Sequence, residues 1–103
     1  MSERNIQYVG MPNLDAIDRS RVLAALESSY DKILKIINNE LLMKVHFKEQ
    51  RSSGKTSKHT VNINLSFSGL NIVSKESDWR LINAVQKATF WLERETIKAV
   101  KRY

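Results

Sequence analysis

The sequence predicts an α+β fold: a two-layer sandwich of order β-α-β-β-β-α, with two helices packed on one face of a mainly antiparallel four-stranded sheet. Three observations predict it. Residues 14–40 and 77–103 repeat apolar side chains every three or four positions, whereas 41–50 and 60–67 alternate apolar with polar. Short β-rich stretches bounded by turn residues flank these segments. Two amphipathic helices and a sheet with one apolar face bury those surfaces best as two layers. A length of 103 residues fits one domain, 1–103, and leaves no room for a second core.

Ile6-Gln7-Tyr8-Val9 is rich in β-formers and is broken by Gly10-Met11-Pro12-Asn13. Leu23, Leu26, Tyr30, Ile33 and Ile37 then draw one apolar stripe on a helix. Asp18 or Ser20 is expected to cap its regular part, and Leu14 and Ile17 to belong to an earlier turn. Leu41, Met43, Val45 and Phe47 point one way from the next strand, and Leu42, Lys44, His46 and Lys48 the other. Residues 51–58 hold no large apolar side chain and are expected as a solvated loop. Val61, Ile63, Leu65 and Phe67 form the apolar set of the following strand, opposite Thr60, Asn62, Asn64 and Ser66. Ser68-Gly69 predicts a tight hairpin turn into Leu70–Val73. The last helix is expected to open at Ser77 or Asp78, with Leu81, Val85, Ala88, Leu92 and Ala99 inward and Glu95 or Thr96 interrupting.

The chain has 17 Lys+Arg against 11 Asp+Glu, a net charge of +6. Counted along the chain, residues 1–43 carry five basic and six acidic side chains, residues 44–76 six and two, and residues 77–103 six and three. The positive excess therefore sits in the C-terminal sixty residues, which points toward a polyanionic partner, nucleic acid above all. The absence of cysteine excludes a disulfide scaffold, thiolate metal sites and thiol catalysis. No apolar run approaches the length of a membrane span and no signal-peptide core is present, so an intracellular, soluble protein without membrane contact is expected.

The sharpest surface feature is in the last helix. Arg80, Asn83, Lys87, Phe90, Arg94, Lys98 and Lys101 follow at steps of three and four, a single stripe opposite the core face with five cations and one aromatic. Such a line can follow phosphates while Phe90 stacks on an unpaired base; it would serve equally as a solvated helix face. Glu93 and Glu95 are expected to lie off the stripe. Arg21, Lys32 and Lys35 extend the surface on the first helix if the two helices lie side by side. Lys48, Arg51, Lys55 and Lys58 around the 51–58 segment form a second basic feature, either a groove-reaching loop or an ordinary exposed hairpin. The open sheet face is polar and lacks a base-stacking aromatic pair, so a solvated face or one that pairs with another copy is expected there. Trp79 and Trp91 are expected as core or edge packing.

Catalysis finds little support. In a hairpin closed by 51–58, Lys48 would face about residue 61 and His46 about Ile63, which leaves His46 and His59 roughly 13 Å apart along the strand. Asp15 and Asp18 are explained by helix capping. No phosphate-binding, dinucleotide or zinc-protease motif is present. No enzyme activity, metal or cofactor is expected. The alternative to an RNA-binding protein is a homodimeric interaction or assembly module, pairing through the sheet face or the Ile6–Val9 edge.

The order β-α-β-β-β-α with a turn at Ser68-Gly69 and a long closing helix resembles the ribosome hibernation-promoting and ribosome-associated inhibitor family. Gly69, Glu76, Asp78 and Leu92-Glu93-Arg94 occupy places that match the family's strand-ending glycine, acidic stretch and helical Leu-Glu-Arg. The 51–58 segment and the opening of the last helix are longer than in the family. The resemblance implies a cytoplasmic protein that binds ribosomal RNA of the small subunit near the decoding region. Arg21, Lys32, Lys35, Arg80, Lys87, Arg94, Lys98 and Lys101 would carry that contact by position. The double-stranded-RNA-binding fold shares the α-β-β-β-α core, but its Lys-Lys-x-Ala-Lys at the second helix start is missing here.

Overall fold

The structure, a computed structural model, describes residues 4–51, 54 and 56–101. Its elements are β1 (Ile6–Val9), α1 (Ala16–Ile37), β2 (Leu42–Arg51), β3 (Ser57–Phe67), β4 (Leu70–Asp78) and α2 (Leu81–Lys101). The strands lie in the order β1-β2-β3-β4, with β1 parallel to β2 and the other two pairs antiparallel.

Alternation on β2 and β3 sets the register. Met43 faces Leu65, Val45 faces Ile63 and Phe47 faces Val61, and all six are buried. The predicted pairing was one residue out: Lys48 lies opposite Thr60 and His46 opposite Asn62. A one-residue slip would have set the apolar row of β2 against the polar row of β3, so burial of one face selects the observed register.

The strands are also longer than predicted. Pairing continues to Arg51 and Ser57, so the expected 51–58 loop shrinks to residues 52–56, of which Ser52, Ser53 and Lys55 lie outside the described residues. The polar stretch Ser74–Asp78 continues β4, paired with β3 from Ile63 to His59. Buried Ser74 donates its hydroxyl to the Ala88 carbonyl of α2 (2.9 Å), and the Ser77 and Thr60 hydroxyls bond each other across the sheet (2.8 Å). The last helix consequently opens at Leu81, not at Ser77 or Asp78. Leu81, Ala84, Val85, Ala88 and Leu92 bury against the sheet, and the two alanines allow a close approach. Thr96 is the residue that interrupts the apolar row, its hydroxyl bonded to the Leu92 carbonyl.

The cap of α1 is Asp15, not Asp18 or Ser20: its carboxylate accepts from the Asp18 amide at 2.8 Å, so the turn around Leu14 and Ile17 merges into one helix. Val22, Leu26, Tyr30 and Ile33 form the buried face, with Leu23 displaced to its margin. The Tyr30 hydroxyl accepts from the Asn5 amide and donates to the Leu41 carbonyl, which ties the start of β1 to the start of β2. Arg4 clamps the same corner with two 2.9 Å bonds to Asp31, whose carboxyl it holds below the ordinary range.

The helices run parallel and side by side. Val22 and Ile82 line one cavity, Ser29 donates to Glu93 at 2.9 Å, and Ile37 and Val100 line another cavity. Sequence offsets of about 60 at all three points require matching directions.

Gly10 leaves β1 at φ +75°, and a Cβ there would stand 2.7 Å from the Phe47 carbonyl oxygen. Gly69 also has positive φ, next to Ser68 at φ 50°, but a Cβ there meets nothing. This pair of angles suits a tight hairpin turn. Gly10→Ala should therefore cost more than the roughly 1–2 kcal/mol of left-handed strain alone, and more than Gly69→Ala. Urea unfolding of the two variants checks this; equal losses would contradict the close approach at Phe47.

Candidate nucleic-acid interface

The outward face of α2 carries the predicted stripe. Arg80, Lys87, Phe90, Arg94, Lys98 and Lys101 are all exposed, and Asn83 is half-buried. The stripe is less free of acid than its spacing suggested. Lys87 Nζ lies 2.8 Å from Asp78 Oδ2, and Lys98 Nζ lies 3.5 Å from Glu95 Oε1. Glu95 thus reaches the stripe, because residues three apart on a helix are surface neighbours. Glu93 turns to the helix seam and accepts from Ser29. Among the described residues, Arg80, Arg94 and Lys101 form no ion pair.

Neither tryptophan enters the core: Trp79 is 59% and Trp91 45% exposed. The inward row of α2 is filled by Leu81, Ala84, Val85, Ala88 and Leu92, packed too closely on the sheet for an indole. Trp91 instead meets Phe90 edge to face, with ring centroids 5.4 Å apart, and the Arg94 guanidinium lies over both rings at 5.4 and 5.8 Å. Spacing alone missed Trp91 as part of the site because it stands one position off the stripe. Its signal was adjacency to Phe90 within reach of Arg94. The trio forms an exposed cationic, aromatic platform of the kind that stacks on nucleobases.

Arg21, Lys32 and Lys35 are exposed on α1, with Ser28, on the flank beside the seam marked by Ser29. None of the three cations forms an ion pair among the described residues. The second predicted cluster does not assemble as one loop. Strict pairing puts Arg51 on the helix side of the sheet and Lys48 and Lys58 on the open side, while Lys55 lies outside the described residues. The two histidines are likewise divided. His46 is on the open face, and His59 lies on the helix side near Asp18, Val22 and Arg80. Among the described residues no group of three or more His, Cys, Asp or Glu side chains is placed to hold a metal ion, and no helix is long and apolar enough to cross a membrane.

Asp78 is the electrostatic hinge of this face. Its carboxylate accepts from Lys87 Nζ, from the Arg80 amide at 3.0 Å and from Asn83 Nδ2 at 3.5 Å. The Lys87 bond first, and the Arg80 amide second, hold its carboxyl down to about 2, against an ordinary 3.8. Because the folded value is the lower one, the stability that depends on Asp78 is fully present above about pH 4 and is lost as pH falls toward 2. Asp78→Asn should therefore flatten the loss of thermal stability between pH 4 and pH 2. An unchanged acid limb would show that Asp78 is not held in this way.

No family model matches the chain, and no curated protein matches it in sequence. Solved structures do match it in fold. The N-terminal domain of Protein Y from Thermus thermophilus superposes with a TM-score of 0.66 at 22% identity, over 91% of this chain and 94% of that one. A ribosomal subunit interface protein from Coxiella burnetii superposes with a TM-score of 0.63 at 18% identity, over the same shares. The chain therefore has the fold of these two proteins, the fold that its resemblance to the hibernation-promoting family implied.

Proposed function

We propose that this chain is a non-enzymatic RNA-binding protein that docks on the ribosome through the outer face of α2 and the adjoining flank of α1. The observation that carries this reading is the α2 face, where Arg80, Lys87, Arg94, Lys98 and Lys101 run the length of the helix beside the Phe90–Trp91–Arg94 platform. The shared fold with a protein described as a ribosomal subunit interface protein supports the ribosome as the place of docking. Ribosomal RNA of the small subunit is the proposed target, and holding ribosomes out of translation is the proposed consequence.

Recognition would be led by phosphate position and RNA shape. Arginine and lysine side chains contact phosphates and fix register, whereas base edges play little part. Phe90 and Trp91 add stacking on an unpaired base, worth about 1–3 kcal/mol per base. Arg21, Lys32 and Lys35 extend the contact across the seam. A homodimer formed by apposing two open sheet faces is disfavoured, since it would set Lys44, Lys48, Lys58 and Lys75 against their own copies.

Charge reversal at Lys87, Arg94 and Lys98 together should abolish co-sedimentation with small ribosomal subunits while the circular dichroism spectrum stays that of the wild type. Unchanged co-sedimentation would remove α2 as the docking face. Phe90→Ala with Trp91→Ala should weaken binding about tenfold or more, with the salt dependence preserved, because stacking releases no counterions. A changed salt slope with unchanged affinity at low salt would overturn the stacking role.

A further inference from the structure

The face of the sheet turned away from the helices is a second basic surface. The register places Lys44 and Lys48 of β2, Lys58 of β3 and Lys75 of β4 on this face. The same alternation places Glu49, Glu76 and Asp78 on the helix side, so among the described strand residues this face holds four lysines and no acid. The sequence pattern hid this, because Lys58 and Lys75 fell in segments read as a loop and as the approach to a helix.

At the centre of the patch, His46, Asn62 and Lys75 stand in one row across three strands. With Lys48 and Thr60 they line a cavity of about 210 Å³. Asn62 Oδ1 lies buried within this row and has no hydrogen-bond partner among the described residues. Thr60, beside it, is already engaged with Ser77. An unpaired buried acceptor is costly and calls for a donor, while the surrounding ammonium groups call for anions. One ligand offers both at short spacing: an RNA strand, whose phosphates are the anions and whose ribose 2′-hydroxyl is the donor. From strand rise and spacing, the lysines span roughly 20 Å along the strands and 10 Å across them, the footprint of a few nucleotides.

We propose that the open sheet face binds a single RNA strand, with phosphates on Lys44, Lys48, Lys58 and Lys75 and, once the side chains that cover it move aside, a ribose hydroxyl donating to Asn62 Oδ1. A second copy of this chain fits poorly, because it would bring lysines against lysines. The face has no exposed aromatic ring to stack bases, so the contact is indifferent to sequence and depends on phosphate and hydroxyl alone. The inference stands independently of the α2 docking face, and together they would let one molecule hold two RNA segments on opposite sides.

The test is fluorescence anisotropy with a labelled oligouridylate 12-mer and the oligodeoxyuridylate of equal length. Wild type should bind the RNA with a log–log salt slope of about 2–3, for three or four phosphates at about 0.7 each. Lys48→Glu with Lys75→Glu should weaken this about tenfold or more, and the milder Lys48→Gln with Lys75→Gln should weaken it in the same direction. The helix variant reversed at Lys87, Arg94 and Lys98, which leaves the sheet face as the remaining basic surface for the 12-mer, should still bind it measurably while losing ribosomal subunits. Adding Lys48→Gln with Lys75→Gln to that variant should weaken what remains, which separates failure of one surface from failure of the other. Asn62→Ala should bring RNA and DNA affinities together. Binding of the 12-mer unchanged in both lysine double variants, or lost in the helix variant, would overturn the site. Equal affinity of wild type for RNA and DNA would overturn the hydroxyl contact at Asn62.

Discussion

The burial of one face of the β2–β3 pair is the constraint on which the rest of the molecule depends. Met43, Val45 and Phe47 against Leu65, Ile63 and Val61 make a continuous apolar floor that water must not reach. Both helices are recruited to cover that floor, and they lie parallel because each returns antiparallel to the strand before it. The opposite face is left open for the same reason. A single packing requirement thus produces two outward surfaces, one helical and one sheet, and each is positively charged.

Between them sits Asp78, which closes β4, holds the Arg80 amide at the entry to α2 and binds the Lys87 ammonium. It costs the α2 stripe part of a cation while fixing where the stripe begins. Glu93 plays a comparable part at the seam through Ser29. Asp78 and Glu93 are therefore placed to set helix geometry, Glu95 pairs instead with Lys98 of the stripe, and Arg94 of the Arg94–Phe90–Trp91 platform forms no ion pair among the described residues.

Much of the fold was legible in the sequence, because period-two alternation on β2 and β3 and the stripe through Leu26, Tyr30 and Ile33 are direct images of the buried face. The element order and the Ser68-Gly69 turn followed from the same signals. What remained hidden was set by tertiary partners. Ser74 reads as polar and breaks the strand pattern until the Ala88 carbonyl is placed above it. The α1 cap moved to Asp15 because capping residues crowd that segment and only geometry chooses among them. In the candidate site, the α2 stripe was visible by spacing, whereas Trp91, the Asp78–Lys87 pair and the lysines gathered on the open sheet face needed the three-dimensional register.

The central claim is that this protein meets RNA mainly through phosphate contacts of its helix face. Co-sedimentation with small ribosomal subunits across a salt series tests it most directly. For about six phosphates neutralised, log K should fall against log salt with a slope of about 4–5. A slope near zero, or no co-sedimentation even at low salt, would contradict the account.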